Sequence, residues 1–176
     1  RRGNADTSHD HALHRDMLKK VDIEKILRPK HIAVDVQVSS KKRALEVLSE
    51  LLAKGEPQLT PAEVFESLLS RERLGGTALG KGVALPHGRL KGSGDIIGAF
   101  LRLKGDVPFD AQDKQPVDLL FALLVPTDSK ESNEHYLQVL AHIAEMLSDD
   151  KQREQLRGAK SREELFSLIA NWQPVH

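Results

Sequence analysis

The feature that most constrains the fold is the run Val117-Asp-Leu-Leu-Phe-Ala-Leu-Leu-Val125, apolar at eight of nine positions and stopped by Pro126. A strand with one wet face alternates apolar and polar side chains, so an unbroken apolar run of this length reads as a central strand covered on both sides. Covering both sides takes helices, and the chain supplies them. Ser39 or Ser40 caps a helix running through Lys54, with Ala44, Leu45, Val47, Leu48, Leu51 and Leu52 on one stripe and Gly55 at its end. Thr60, Pro61 and Glu63 open a second, with Val64, Phe65, Leu68 and Leu69 buried, ending near Arg73. After the central run a helix opens at Ser132–His135, with the stripe Leu137, Leu140, Ala141, Ala144 and Leu147. A shorter helix spans Asp149–Leu156, and Ser161–Glu164 opens a last one reaching about Trp172.

Further strands read at His31–Val38, Val83–Leu85 and Asp95–Leu103, and a helical turn at Asp22–Leu27 is closed by Pro29. Lys104–Pro116 reads as a polar connection with Val107 and Phe109 tucked inward. The expected order is α-β-α-α-β-β-β-α-α-α. It describes an α/β (α+β) domain: a mixed sheet of about four to five strands flanked by helices on both faces. Residues 1–16 are polar and without apolar period, and read as a flexible arm ahead of a single domain spanning 17–176.

Composition narrows the function classes. The formal net charge is zero, so no global field favours nucleic acid or a membrane surface. No run approaches the ~20 apolar residues of a membrane span, and the N-terminal stretch has no apolar signal core, so the expectation is a cytoplasmic chain. There is no cysteine, hence neither a thiol nucleophile nor a disulfide framework. His9, His11 and His14 could form a fortuitous metal site but lack a fourth ligand at suitable spacing. Neither metal nor cofactor is expected.

The chemistry concentrates in Gly75-Gly-Thr-Ala-Leu-Gly-Lys-Gly-Val-Ala-Leu-Pro-His-Gly-Arg89. Four glycines within eight residues exclude a continuous helix, and neither a Walker loop nor a dinucleotide fingerprint is present. Pro86 ends the short strand and presents His87 on a stiff end, with Gly88 leaving room beside the ring. From Arg71 to Lys91 there are five basic residues (Arg71, Arg73, Lys81, Arg89, Lys91) against one acid (Glu72), a local net of +4. A rigid histidine among glycines and cations suits a group that receives or binds an anion; the plainer alternative is a turn histidine in a glycine linker. His135, 48 residues on, lies in the first turn of the helix after the central strand, where anions are attracted. The plainer reading is a half-exposed first-turn residue, as Arg71 is otherwise a cation at a helix C-terminus. His142 reads as surface or helix packing, His31 as a loop residue before its strand, and His176 as terminal.

Arg71-Glu72, Gly75-x-Thr77 and Gly80-x-Gly82-x-Ala84-x-Pro86-His87-Gly88, joined by Asn133-Glu134-His135 and Leu137, resemble the fructose/mannitol-type enzyme IIA domain of the bacterial phosphotransferase system over about residues 20–172. The absence of an attached transport domain makes the chain most similar to the nitrogen-related regulatory subgroup. The resemblance implies that His87 takes a phosphoryl group on Nε2 from an HPr-like carrier, without metal. Arg71 is then the cation near that group and His135 the imidazole that donates a hydrogen bond to it. It implies a phosphotransferase component rather than a stand-alone turnover enzyme, whose partners include potassium-transport and sensor proteins. Alternatives are a sugar-specific IIA that passes phosphate to a IIB domain, and an interaction module that is never phosphorylated. Gly76 and Ala78 depart from the family's usual Ser and Gly. The contact rim is expected around Gly75–Gly82, with Leu74 and Leu79 foremost.

Overall fold

A computed structural model describes residues 21–92, 94–128 and 133–174. The expected arm, the histidines at 9, 11 and 14, and His176 lie outside these residues. The elements are α1 (Ile23–Ile26), β1 (Leu27–Val36), α2 (Lys41–Ala53), α3 (Pro61–Leu74), β2 (Ala78–Gly80), β3 (Val83–Ala84) and β4 (His87–Leu90), followed by β5 (Ile97–Val107), β6 (Val117–Pro126), α4 (Asn133–Ser148), α5 (Asp150–Gly158) and α6 (Arg162–Ala170). The helix caps sit where the sequence signals them. Ser40, Thr60 and Ser161 hydroxyls accept from the backbone N–H three residues on, and the Asp149 carboxylate does the same for Gln152.

The sheet is mixed, in the order β1-β5-β6-β3-β2, with β4 also paired to β6. β1 runs parallel to β5, and β5 antiparallel to β6. Both β3 and β4 run parallel to β6, matching Val83 to Leu119 and His87 to Leu123. β6 is the central strand, and its side chains divide the core. Leu119, Phe121, Leu123 and Val125 face α4, α5 and α6, while Leu120, Ala122 and Leu124 face α2 and α3. Phe121 meets Phe100 of β5 edge to face, with ring centroids 6.2 Å apart. Two full layers of core thus hold β6 rigid, and β4 inherits that rigidity along one edge.

Six strands form where about four to five were expected. β2 has three residues and a glycine, and β4 reads His-Gly-Arg-Leu, so neither carries an apolar period; both exist because β3 and β6 offer a free edge. β1 begins at Leu27, before Pro29, which an edge strand tolerates. His31 therefore lies inside β1, not in a loop before it. Its ring is buried and its Nε2 sits 2.9 Å from the Lys54 carbonyl. The buried face of α4 is Tyr136, Val139, Ile143, Met146 and Leu147, whereas Leu137 and Ala141 are exposed. The expected stripe is rotated because α4 has apolar residues on two flanks. The second flank lines a surface groove.

Candidate functional site

That groove, about 850 Å³, lies between α3 and α4, with β4 at its floor. Its walls are Ala62, Glu63, Glu66, Ser67, Ser70, Arg71 and Leu74 from α3 and Tyr136, Leu137 and Leu140 from α4. His87, Gly88, Arg89 and Leu90 supply the floor. Leu74 is 86% exposed and Leu137 55%, so apolar surface rims the groove, whereas Leu79 of β2, 43% exposed, is not among its lining residues.

β4 lies this close to α3 because position 88 has no side chain. A Cβ there would collide with the Ser67 hydroxyl and come within 2.9 Å of the Ser67 carbonyl oxygen. Gly88 makes room for helix α3 rather than for the His87 ring, a correction to its expected role. The gap is closed by the Ser67 hydroxyl donating to the Arg89 carbonyl at 2.6 Å.

His87 is half-buried, and its Nδ1 lies 2.7 Å from the carbonyl oxygen of Leu85. A carbonyl can only accept, so Nδ1 carries the proton and Nε2 keeps its lone pair. No described residue hydrogen-bonds Nε2. The ring's pKa is held below the ordinary 6.5, first by burial, against which the Leu85 bond pushes upward; the Arg71 charge lowers it and the Glu72 charge raises it. The neutral form of the ring, with its lone pair on Nε2, is therefore favoured over the imidazolium.

Arg71, in the last turn of α3, shares the groove with His87 and donates through Nη1 to the Gly75 carbonyl at 2.7 Å. Arg89, two residues along β4, adds a second guanidinium. It donates to the Asn133 side-chain oxygen at 2.5 Å and lies 5.2 Å from the Tyr136 ring centroid. Both arginines act on Tyr136, opposing the rise in its pKa that burial causes. Arg89 was counted among the cations without a role, and Tyr136 and Ser67 carry no sequence signal of their own.

His135 is buried in the first turn of α4, with Nδ1 3.4 Å from the Gln138 side-chain oxygen. It immediately precedes Tyr136 of the groove wall but is not itself part of that wall. The arrangement brings together a neutral imidazole with a free Nε2, two guanidiniums and an apolar trough. That combination can accept a phosphoryl group, hold its charge and dock a protein that delivers it. Gly76 has ordinary space beside it: the nearest atom to an added Cβ is a Glu72 carboxylate oxygen at 3.7 Å. The missing serine is not a steric demand of this backbone.

The family model described as "Phosphoenolpyruvate-dependent sugar phosphotransferase system, EIIA 2" matches residues 25–172. The nitrogen regulatory protein of Escherichia coli (strain K12) is 46% identical over 137 residues, which is 77% of this chain and 82% of that protein. The nitrogen regulatory protein of Pseudomonas aeruginosa is 42% identical over 153 residues, covering 87% and 97%. Among solved structures, the nitrogen regulatory protein IIA-Ntr from Neisseria meningitidis superposes with a TM-score of 0.77 at 43% identity, covering 84% of this chain and 98% of that one. Among the described residues, no helix is long and apolar enough to cross a membrane.

Proposed function

The chain belongs to the EIIA 2 family of the phosphoenolpyruvate-dependent sugar phosphotransferase system, and on that premise we propose that it is a phosphohistidine carrier and regulator of the nitrogen-related branch. An HPr-like protein, itself phosphorylated on histidine, docks over the groove. The His87 Nε2 lone pair attacks phosphorus. A new P–N bond forms as the donor's P–N bond breaks, and the donor imidazole leaves with that electron pair and takes up a proton. Arg71 balances the charge on the phosphoryl oxygens, and by the family resemblance His135, buried next to Tyr136 of the wall, turns to donate a hydrogen bond to the bound group. No metal is required. The output is control of partner proteins, potassium-transport or sensor proteins by resemblance, through the charge on His87.

The observation that carries this reading is the 2.7 Å contact between His87 Nδ1 and the Leu85 carbonyl. It selects the tautomer with a nucleophilic Nε2 before any donor arrives. The regulatory branch is supported by identities above 40% to proteins named nitrogen regulatory protein.

The test is labelling from phosphoenolpyruvate through the upstream carrier proteins. Wild type takes an acid-labile, alkali-stable label and His87→Ala takes none, while Arg71→Ala and His135→Ala take it ~10²–10³-fold more slowly with the fold intact. Label that persists in His87→Ala refutes the assignment.

A further inference from the structure

One buried carboxylate touches none of the reacting atoms yet is tied to each of them. Glu72, beside Arg71 in the last turn of α3, has a side chain only 3% exposed. Its carboxylate accepts from the Thr77 backbone N–H at 3.0 Å and from the Thr77 hydroxyl at 2.5 Å. Lys41, at the start of α2, brings its ammonium to 2.9 Å from the same carboxylate. A buried carboxylate with three donors is fixed in place, because moving it would leave charge and donors unpaired away from water.

Two chains of contacts run outward from it. The first leads to the nucleophile: the Thr77 carbonyl accepts from the Leu85 N–H at 3.0 Å, and the Leu85 carbonyl accepts from His87 Nδ1 at 2.7 Å. Leu85 is further confined to extended geometry by Pro86. The second leads to the cation. The Glu72 backbone carbonyl accepts from the Gly75 N–H at 3.2 Å, and the Gly75 carbonyl accepts from Arg71 at 2.7 Å. The segment Gly75–Thr77 is therefore clasped at both ends by one residue. Two glycines leave this segment no other stiffness, since Gly75 has nothing within 4 Å of where its Cβ would stand.

We propose that Glu72 is the positioning residue of this site, holding the His87 tautomer through Thr77 and the Leu85 backbone and holding Arg71 through the same loop. Lys41 completes the device by anchoring the carboxylate to α2. The inference rests on the reading of His87 as the phosphoryl acceptor for its kinetic consequence, but not for its structural one. The hydrogen bond at a histidine's second nitrogen sets its tautomer and ring orientation, and at metal sites loss of such an aligning partner typically costs about 10–100-fold in affinity or activity.

The experiment uses the full chain, with Glu72→Gln, Thr77→Val and Thr77→Ser. In unphosphorylated protein, nitrogen NMR of the His87 ring should show the Nδ1–H tautomer alone in wild type and a resolved population of the Nε2–H form in Glu72→Gln. Single-turnover transfer from the phosphorylated carrier should slow about 10–100-fold in Glu72→Gln and about 10-fold in Thr77→Val, with half-saturation by the carrier changed less than about threefold. Thr77→Ser keeps the donor oxygen and should recover most of what Thr77→Val loses. Wild-type tautomer and wild-type rate in folded Glu72→Gln and Thr77→Val overturn the proposal. So does a rate loss that merely follows the folded fraction. Should Glu72→Gln not fold, the two Thr77 variants decide between these outcomes. A wild-type chain that accepts no phosphoryl group would defeat the functional reading alone, because the tautomer comparison needs no donor.

Discussion

Replacing Gly88 with Ala tests how closely the nucleophile's strand and the arginine's helix are coupled. Gly88 does not occupy the left-handed region, so alanine meets no backbone strain there. By removing unfolded-state freedom, the substitution would even gain ~0.4–1 kcal/mol. Packing opposes that gain. The new Cβ would overlap the Ser67 hydroxyl and stand 2.9 Å and 3.0 Å from the Ser67 carbonyl oxygen and carbon. The hydroxyl can rotate away, at the loss of its 2.6 Å bond to the Arg89 carbonyl. The helix backbone cannot rotate away, so α3 and β4 must separate. Overpacking of this kind costs about 1–3 kcal/mol. The net is a loss of about 1–2 kcal/mol, or a fall in melting temperature of about 2–8 °C for a domain of this size. Because Arg71 rides on α3 and His87 on β4, phosphoryl transfer should also slow while the carrier still binds. Thermal melts and single-turnover labelling give the two readouts. Gly88→Ala/Ser67→Ala should recover part of the melting temperature by removing the hydroxyl, and not all of it, because the carbonyl contact remains. A melting temperature within 1 °C of wild type, with wild-type transfer, would show that α3 moves freely against β4 and refute the coupling.

Two further outcomes follow from the same geometry. Gly76→Ser, which restores the hydroxyl usual in the family, should leave stability within about 0.5 kcal/mol, read from denaturant midpoints; a larger loss would mean the loop cannot take a side chain after all. Acidification should destabilise the fold through His31, whose folded pKa is lowered first by burial, then raised by its Lys54 bond and Glu56 and lowered by Lys30 and Arg28. Among the described residues its Nδ1 is buried without a hydrogen-bond partner. A depressed folded value means the stability is fully present above the ordinary 6.5 and is lost as pH falls through the folded value. His87 and His142 are lowered in the same direction, so His31→Gln should flatten only part of the fall in melting temperature below about pH 6.5. An unchanged pH profile in that variant would exclude His31 as a contributor.

The layered architecture was legible because each layer rests on a local signal. The apolar run at Val117–Val125, the caps at Ser40, Thr60, Asp149 and Ser161, and the punctuation by Gly55 and Pro126 each act within a few residues. β2 and β4 were not legible, because their stability comes from neighbours rather than from their own residues. Gly88-Arg89 has no strand propensity, yet it pairs with Leu124 and Val125 across a sheet edge that only the folded chain presents. The burial of His31 and the rotation of α4 share this cause: a tertiary neighbour decides which of two possible faces turns inward.

The site divides along the same line. His87 and Arg71 stand out as residue types in an unusual local setting, and they do share one groove. What orients them runs through backbone groups, which sequence shows only as spacing. Thr77 and Leu85 are linked by their main chains, so almost any residue pair could make that bond. Glu72, Thr77 and Lys41 act through their side chains, as carboxylate, hydroxyl and ammonium, yet each has an ordinary local reading as a helix-end acid, a loop threonine or a first-turn lysine. The chemistry proposed for the site is therefore written in one residue. Its direction is written in a fold that returns the end of α3, the hairpin of β2 and β3, and the start of α2 to a single buried carboxylate. A change at Lys41, 46 residues from His87, should for that reason alter the nucleophile's tautomer before it alters the sheet.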